Sequence, residues 1–281
     1  MRPPTAAERR AAEVNARREP RPERSPLDEQ AKIEARALEQ WIDEGELRTQ
    51  AERASSRAQA SPPPARLHRS RDLDPADGAE IGAAARDARR AAFLRERLAH
   101  AQDALDRDRF DEARRLATAL AKEVPGVAAV HELLGLVAYR TGRWKQGVTE
   151  LELARTLRPN VELLPVLADC YRALRRYTDV ERVWAEVREA SPAPEVMAEA
   201  RIVAAGAQAD QGDLQGALRT MSKAGVVPKR PRDHHLRQWY VLADLHDRAG
   251  DTLEAARWFR LIADHDRDFV DVTERLRSLG R

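Results

Sequence analysis

The sequence predicts an all-α solenoid of about five helix pairs with a C-terminal capping helix, preceded by a largely disordered N-terminal arm. The first observation behind this is segregation: nine of the 16 prolines lie in the first 91 residues, but only one of the 13 aromatics, Trp41, does. The second is repetition. Phe110, Trp144 and Tyr177 are spaced 34 and 33 apart, as are Pro125, Pro159 and Pro192, and Ala113, Gly147 and Val180 keep the same rhythm. A period of this length made of two helical patterns marks stacked helix pairs, because no single pair buries its apolar face alone. The third is balance: 42% hydrophobic and 34% charged residues suit a soluble chain.

The arm, residues 1–91, holds only nine Leu, Ile, Val or Phe. That fraction is about half the roughly 20% below which chains fail to bury enough surface to fold. It carries 18 Lys/Arg against 17 Asp/Glu, so missing apolar surface, not charge repulsion, is the cause. One stretch reads as ordered. Ser25, Pro26 and Asp28 form a helix start, and EQAKIEARALEQWIDE continues without a breaker to Gly45. Leu27, Ala31, Leu38, Trp41 and Ile42 share a face, so a helix over about 26–44 is expected, followed by a stiff proline spacer, SPPPAR, at 61–66.

From residue 92 onward the units can be read one by one. Ala101, Gly135, Ala168, Ala205 and Ala243 are the small residues at which a second helix crosses a first. Gly142, Gly212 and Gly250 fall where the first helix must turn left-handed, with Asp108 and Arg175 in the equivalent places of the first and third units. Phe110, Trp144, Tyr177, Leu214 and the weaker Thr252 anchor the second helices. Ala113, Gly147, Val180, Ala217 and Ala255 form a second small column, and Leu151, Trp184, Met221 and Phe259 fill the volume a turn later. The units are expected at about 93–126, 127–160, 161–194, 195–229 and 233–267, with a closing helix over 269–279. The steps Ala168 to Ala205 and Ala205 to Ala243 are longer, 37 and 38 residues, and imply insertions, including the loop VVPKRPRDHH.

The unit HELLGLVAYRTGRWKQGVTELELARTLRP, residues 131–159, resembles a tetratricopeptide repeat, and the resemblance runs over residues 92–281. The Ala- and Arg-heavy composition resembles tetratricopeptide proteins of GC-rich bacteria such as actinobacteria. The family resemblance implies a right-handed solenoid whose first helices line a concave groove. Its groove positions fall on Glu132, Leu136, Tyr139 and Arg140 in the second unit, Glu162, Asp169 and Arg172 in the third, and Arg237, Tyr240, Asp244 and Asp247 in the fifth. That surface, mixed in sign with two tyrosines, suits a peptide or helix. The asparagines and lysines with which some members clamp a carboxylate are missing from these positions.

Chemistry of other kinds finds little footing. His131-Glu132 begins like a zinc-protease motif, but the fifth position is Gly135, a packing residue in the repeat frame. There is no phosphate-binding loop, dinucleotide glycine series or nucleophile elbow, so no enzyme, cofactor or metal is expected. Cys170, the single cysteine, reads as a packing residue and fits a reducing cytoplasm. His234 and His235 are expected to diverge if helical, and they read as part of a solvated loop and not as a metal site. No run approaches the ~20 apolar residues that span a bilayer, and the start lacks the apolar core of a secretory signal. Two basic clusters, Arg66, His68, Arg69 and Arg71, and Lys229, Arg230, Arg232 and Arg237, lack interleaved aromatics and are followed by acidic residues. Arm and solenoid are each near neutral, which favours a protein partner over nucleic acid. The expectation is a non-catalytic cytoplasmic scaffold or adaptor that binds a peptide or helix in the groove. The alternatives are a nucleic-acid-associated protein using the arm and the 229–237 loop, or a regulatory protein whose own N-terminal helix occupies the groove.

Overall fold

A computed structural model of the protein describes residues 73–280. The 26–44 helix, the proline spacer and the Arg66–Arg71 cluster lie outside the described residues. Within them the expected all-α solenoid is present, as twelve α-helices. The first is α1 (Pro75–Ala84). Five pairs follow: α2 (Ala88–Asp106) with α3 (Phe110–Glu123), α4 (Ala128–Arg140) with α5 (Trp144–Leu157), α6 (Leu164–Ala173) with α7 (Tyr177–Ala190), α8 (Pro194–Asp210) with α9 (Leu214–Met221), and α10 (Asp233–Arg248) with α11 (Thr252–His265). The short α12 (Val272–Ser278) comes last. The 3-10 turn Val161–Leu163 leads into α6, and Ser222–Gly225 extends α9.

The five turns inside the pairs have one geometry. Asp108, Gly142, Arg175, Gly212 and Gly250 all take positive φ, at 59, 70, 57, 85 and 81°. In each, that residue donates its N–H to the carbonyl three back, and the next residue to the carbonyl five back, as in Arg143 N to Ala138 O at 2.8 Å and Arg176 N to Tyr171 O at 2.9 Å. This double closure satisfies the last free carbonyls of each first helix. Two residues after each left-handed residue the next helix opens, on Phe110, Trp144, Tyr177, Leu214 and Thr252, and the first four of these are half-buried.

The small columns lie where the helices cross. Ala101, Ala205 and Ala243 are fully buried, as are Ala113, Ala217 and Ala255. A Cβ on Gly135 would stand 2.6 Å from Leu151 Cγ, and one on Gly147 would stand 2.9 Å from Cys170 Sγ. One apolar cluster joins α1 to α4 through Ile81, Leu94, Leu98, Leu120 and Leu134, and a second joins α5 to α8 through Leu151, Leu167, Tyr171, Val183 and Val203. Farther along, Trp239 is fully buried and donates its indole N–H to Ala224 O at 3.1 Å.

The structure departs from expectation in three places. Helix begins at Pro75, well before residue 92, because Asp74 caps α1 by accepting from Ala76 N at 2.7 Å and Ile81 is fully buried. The extra residues of the third junction form no loop; they lengthen α8, in which Ala205 is preceded by eleven helical residues. The basic loop ends at Arg232, where α10 starts, so the histidines are helical. His234 is 8% exposed, and the two rings lie 4.0 Å apart instead of diverging. The cause is a cap: His235 Nδ1 accepts from Arg232 N at 3.0 Å, which turns its ring back over His234.

Candidate protein-interaction surface

The first helices α2, α4, α6, α8 and α10 pack side by side in a row, and the expected groove residues lie along it. In α4, Glu132 accepts from Asn160 Nδ2 at 3.1 Å and faces Arg158 at 3.5 Å. Leu136 is half-buried. Tyr139 donates its hydroxyl to Asp169 of α6 at 2.8 Å, with its ring edge-on to Trp144. Arg140 donates to Asp108 at 2.7 Å and covers the Phe110 ring. Glu162 is exposed on the 3-10 turn. Arg172 grips Asp210 at the end of α8 through Nε and Nη2, at 2.6 and 3.0 Å.

In α10, Arg237 donates to Glu199 of α8 at 2.8 Å. Asp244 and Asp247 both accept from Arg275 of α12, at 2.7 and 3.1 Å. Tyr240 does not serve as the exposed anchor its position suggested. It is 6% exposed, donates to Asp271 at 2.6 Å and packs edge-on against Phe259. Burial first, and the adjoining Asp271 carboxylate second, raise its pKa above the ordinary tyrosine value.

Most of these side chains therefore spend their polarity on the neighbouring unit. The reason lies in the repeat: one period along the chain returns to a place beside the starting residue, so bonds form between residues 30, 31 or 38 apart. Sequence reasoning passed over several members of this ladder. Arg201 of α8 donates to Gln238 of α10 at 2.5 Å. Gly206 leaves room for the Arg172 guanidinium, which a Cβ there would strike. Arg158, after α5, meets Asp77, Glu80 and Glu132 together. Burial opposes its charge, yet the hydrogen bond it donates to Asp77 and the fields of the carboxylates outweigh burial, so its pKa is raised. The fourth unit, for which no groove residue was expected, thus supplies Glu199, Arg201 and Asp210.

The remaining chemical candidates have structural roles. His131 is 6% exposed, with Nδ1 2.8 Å from Glu150 and Nε2 3.0 Å from Pro125 O. Cys170 is fully buried against the Gly147 backbone. Of the second basic cluster, Arg232 and Arg237 are paired with Glu195 and Glu199, while Lys229 and Arg230 are exposed. Among the described residues no group of three or more His, Cys, Asp or Glu is placed to hold a metal ion, and no helix is long and apolar enough to cross a membrane.

Repeats of this kind can be compared with known proteins. No curated protein matches the chain, so the likeness to bacterial sequences rests on composition alone. Residues 98–162, from the middle of α2 into the 3-10 turn before α6, match the family model for the tetratricopeptide repeat.

Proposed function

We propose that the chain is a non-catalytic protein-interaction scaffold that holds an extended or helical segment of another protein along its row of first helices. The observation that carries this reading is a helical solenoid, matched in part by the tetratricopeptide repeat model, whose row of first helices is mixed in sign and joined by lateral polar bonds, part-buried from Tyr139 and Arg237 and exposed between Arg140 and Asp108. The exposed pair, Arg140 with Asp108, contributes only about 0–1 kcal/mol. A ligand can therefore replace Asp108 at little net cost, while Leu136 and the Tyr139 ring offer apolar contact. Arg140, with its side chain 37% exposed, and the exposed Glu162 are the most accessible charges of the expected set. A nucleic-acid reading is less favoured, since Arg232 and Arg237 already face glutamates. The scaffold reading assigns the protein to the cytoplasm, in keeping with a lone, buried cysteine.

The test is affinity capture with the full chain from its native cell, followed by calorimetry on the retained protein. Arg140→Glu with Glu162→Lys should weaken binding at least tenfold, about 1.4 kcal/mol or more. Unchanged affinity in that variant would remove the row of first helices as the binding surface.

A further inference from the structure

Helix α1 is shaped for the surface it lies on. Its ten residues fall short of the ~12–15 that an isolated helix needs, and two interior glycines, Gly78 and Gly82, weaken it further. Both glycines face Arg95 of α2. Its Nε and Nη2 donate to Gly78 O at 2.9 and 2.7 Å, and a Cβ on residue 82 would stand 2.6 Å from Nη2. On its other side α1 is held by charge. Arg158 reaches Asp77 Oδ1 at 2.8 Å and Glu80 Oε1 at 2.9 Å, and Glu80 Oε2 accepts from Ala128 N at 2.9 Å. Ala128 opens α4, whose own N-cap residue, Val127, supplies no side-chain cap, so Glu80 caps that helix from outside. Ile81 is fully buried beneath α1, and Asp77 is 6% exposed.

This dock adjoins the expected groove. α1 packs on the first helices α2 and α4, and Arg158 is shared with Glu132. Only three residues, Ala85 to Asp87, separate α1 from α2; they form a bend, and the Arg86 side chain is 81% exposed. We propose that Arg95, Arg158 and the N-terminus of α4 form a binding site for acidic helices with an Asp-x-x-Glu-Ile face. α1 is its resident occupant and gives way to a partner helix of the same chemistry. The proposal rests on the scaffold reading but is narrower, and its probe is a segment of this chain, so either can fail alone.

The probe is a fluorescent peptide of residues 73–86, followed by anisotropy on the full chain. In the wild type, tethered α1 acts at an effective concentration of order mM and shuts out micromolar peptide. In Asp77→Asn/Glu80→Gln the resident helix has lost its charges while the peptide keeps them, so binding should tighten at least tenfold. Arg158→Gln added to that variant should abolish the gain. A second release variant, Ile81→Ala, removes the fully buried apolar anchor from the resident helix with the charges intact and should also admit peptide, which keeps its isoleucine; circular dichroism checks that each variant keeps its helix content. Equal binding to wild type and both release variants, absence of binding to all, or a gain that survives Arg158→Gln would overturn the proposal and make α1 a fixed end piece. Loss of this result with intact Arg140- and Glu162-dependent partner binding leaves the scaffold reading standing.

Discussion

The five intra-pair turns share one backbone and differ in side chain, so they test the cost of left-handed geometry within a single molecule. Gly212 sits at φ 85°, and a Cβ there would meet nothing within 4 Å. Gly212→Ala therefore changes only backbone preference. The left-handed conformation costs an L-residue about 1–2 kcal/mol, and the stiffer unfolded chain returns about 0.4–1 kcal/mol. The expected net loss is about 1 kcal/mol. Arg175 is exposed and already bears that cost, at φ 57°. Arg175→Gly runs the same arithmetic backwards and should stabilise by about 0.5–1 kcal/mol. For a helical region of this size, each kcal/mol moves the midpoint by about 2–4 °C. Thermal unfolding followed by far-ultraviolet circular dichroism should thus show a lowered Tm for the first variant, a raised Tm for the second, and a value near wild type for the double variant. A neutral Gly212→Ala, or an Arg175→Gly that unfolds earlier than wild type, would refute the assignment of these turns.

Other expectations follow from packing and titration. Gly147→Ala sets a Cβ 2.9 Å from Cys170 Sγ and should cost about 1–3 kcal/mol. Cys170→Ala should recover part of that loss, so a double-mutant cycle in urea must show favourable coupling; strict additivity would deny the contact. Tyr171, pushed up to about 12 by burial and by its hydrogen bond to Glu152, ionises more readily when unfolded, at about 10. Its contribution is whole below pH about 10 and is lost as pH rises toward about 12, so Tyr171→Phe should flatten the alkaline fall in Tm. His234 is shifted the other way, with its pKa lowered by burial and by the adjacent His235. Its contribution is present above about pH 6.5 and is lost as pH falls, so acid should lower the hydrogen-exchange protection factors at the start of α10 in wild type but less in His234→Gln.

Much of the fold was legible because it is local and periodic. A left-handed residue, a bulky helix-opening residue and two small residues recur at fixed offsets, and each has a reason within one helix pair. Thr252 shows the limit: it opens α11 on schedule but is exposed, so position without bulk marks the turn and not the packing. α1 escaped notice because averaging over 91 residues diluted Ile81 and the Asp74-Pro75 start among sequence that is poor in apolar residues. The expected groove residues lie on the first helices, except Glu162, which falls on the 3-10 turn before α6, but their partners were not readable. A bond such as Arg172 to Asp210 depends on how adjacent units sit, and on Gly206 leaving a lane between them. His235 was misjudged for a related reason. Helical spacing sets where a side chain leaves the backbone, and a bond to Arg232 N then sets where it ends.

The lateral ladder has a mechanical side. In a stack whose units touch only their neighbours, each bond between adjacent first helices also fixes the angle between two units. Arg172 cannot hold Asp210 and an incoming carboxylate equally well, so a ligand that claims the guanidinium loosens the bridge from α6 to α8. Arg237 with Glu199 couples α8 to α10 in the same way. In the proposed reading, a ligand on the row and the angle between these units are therefore linked.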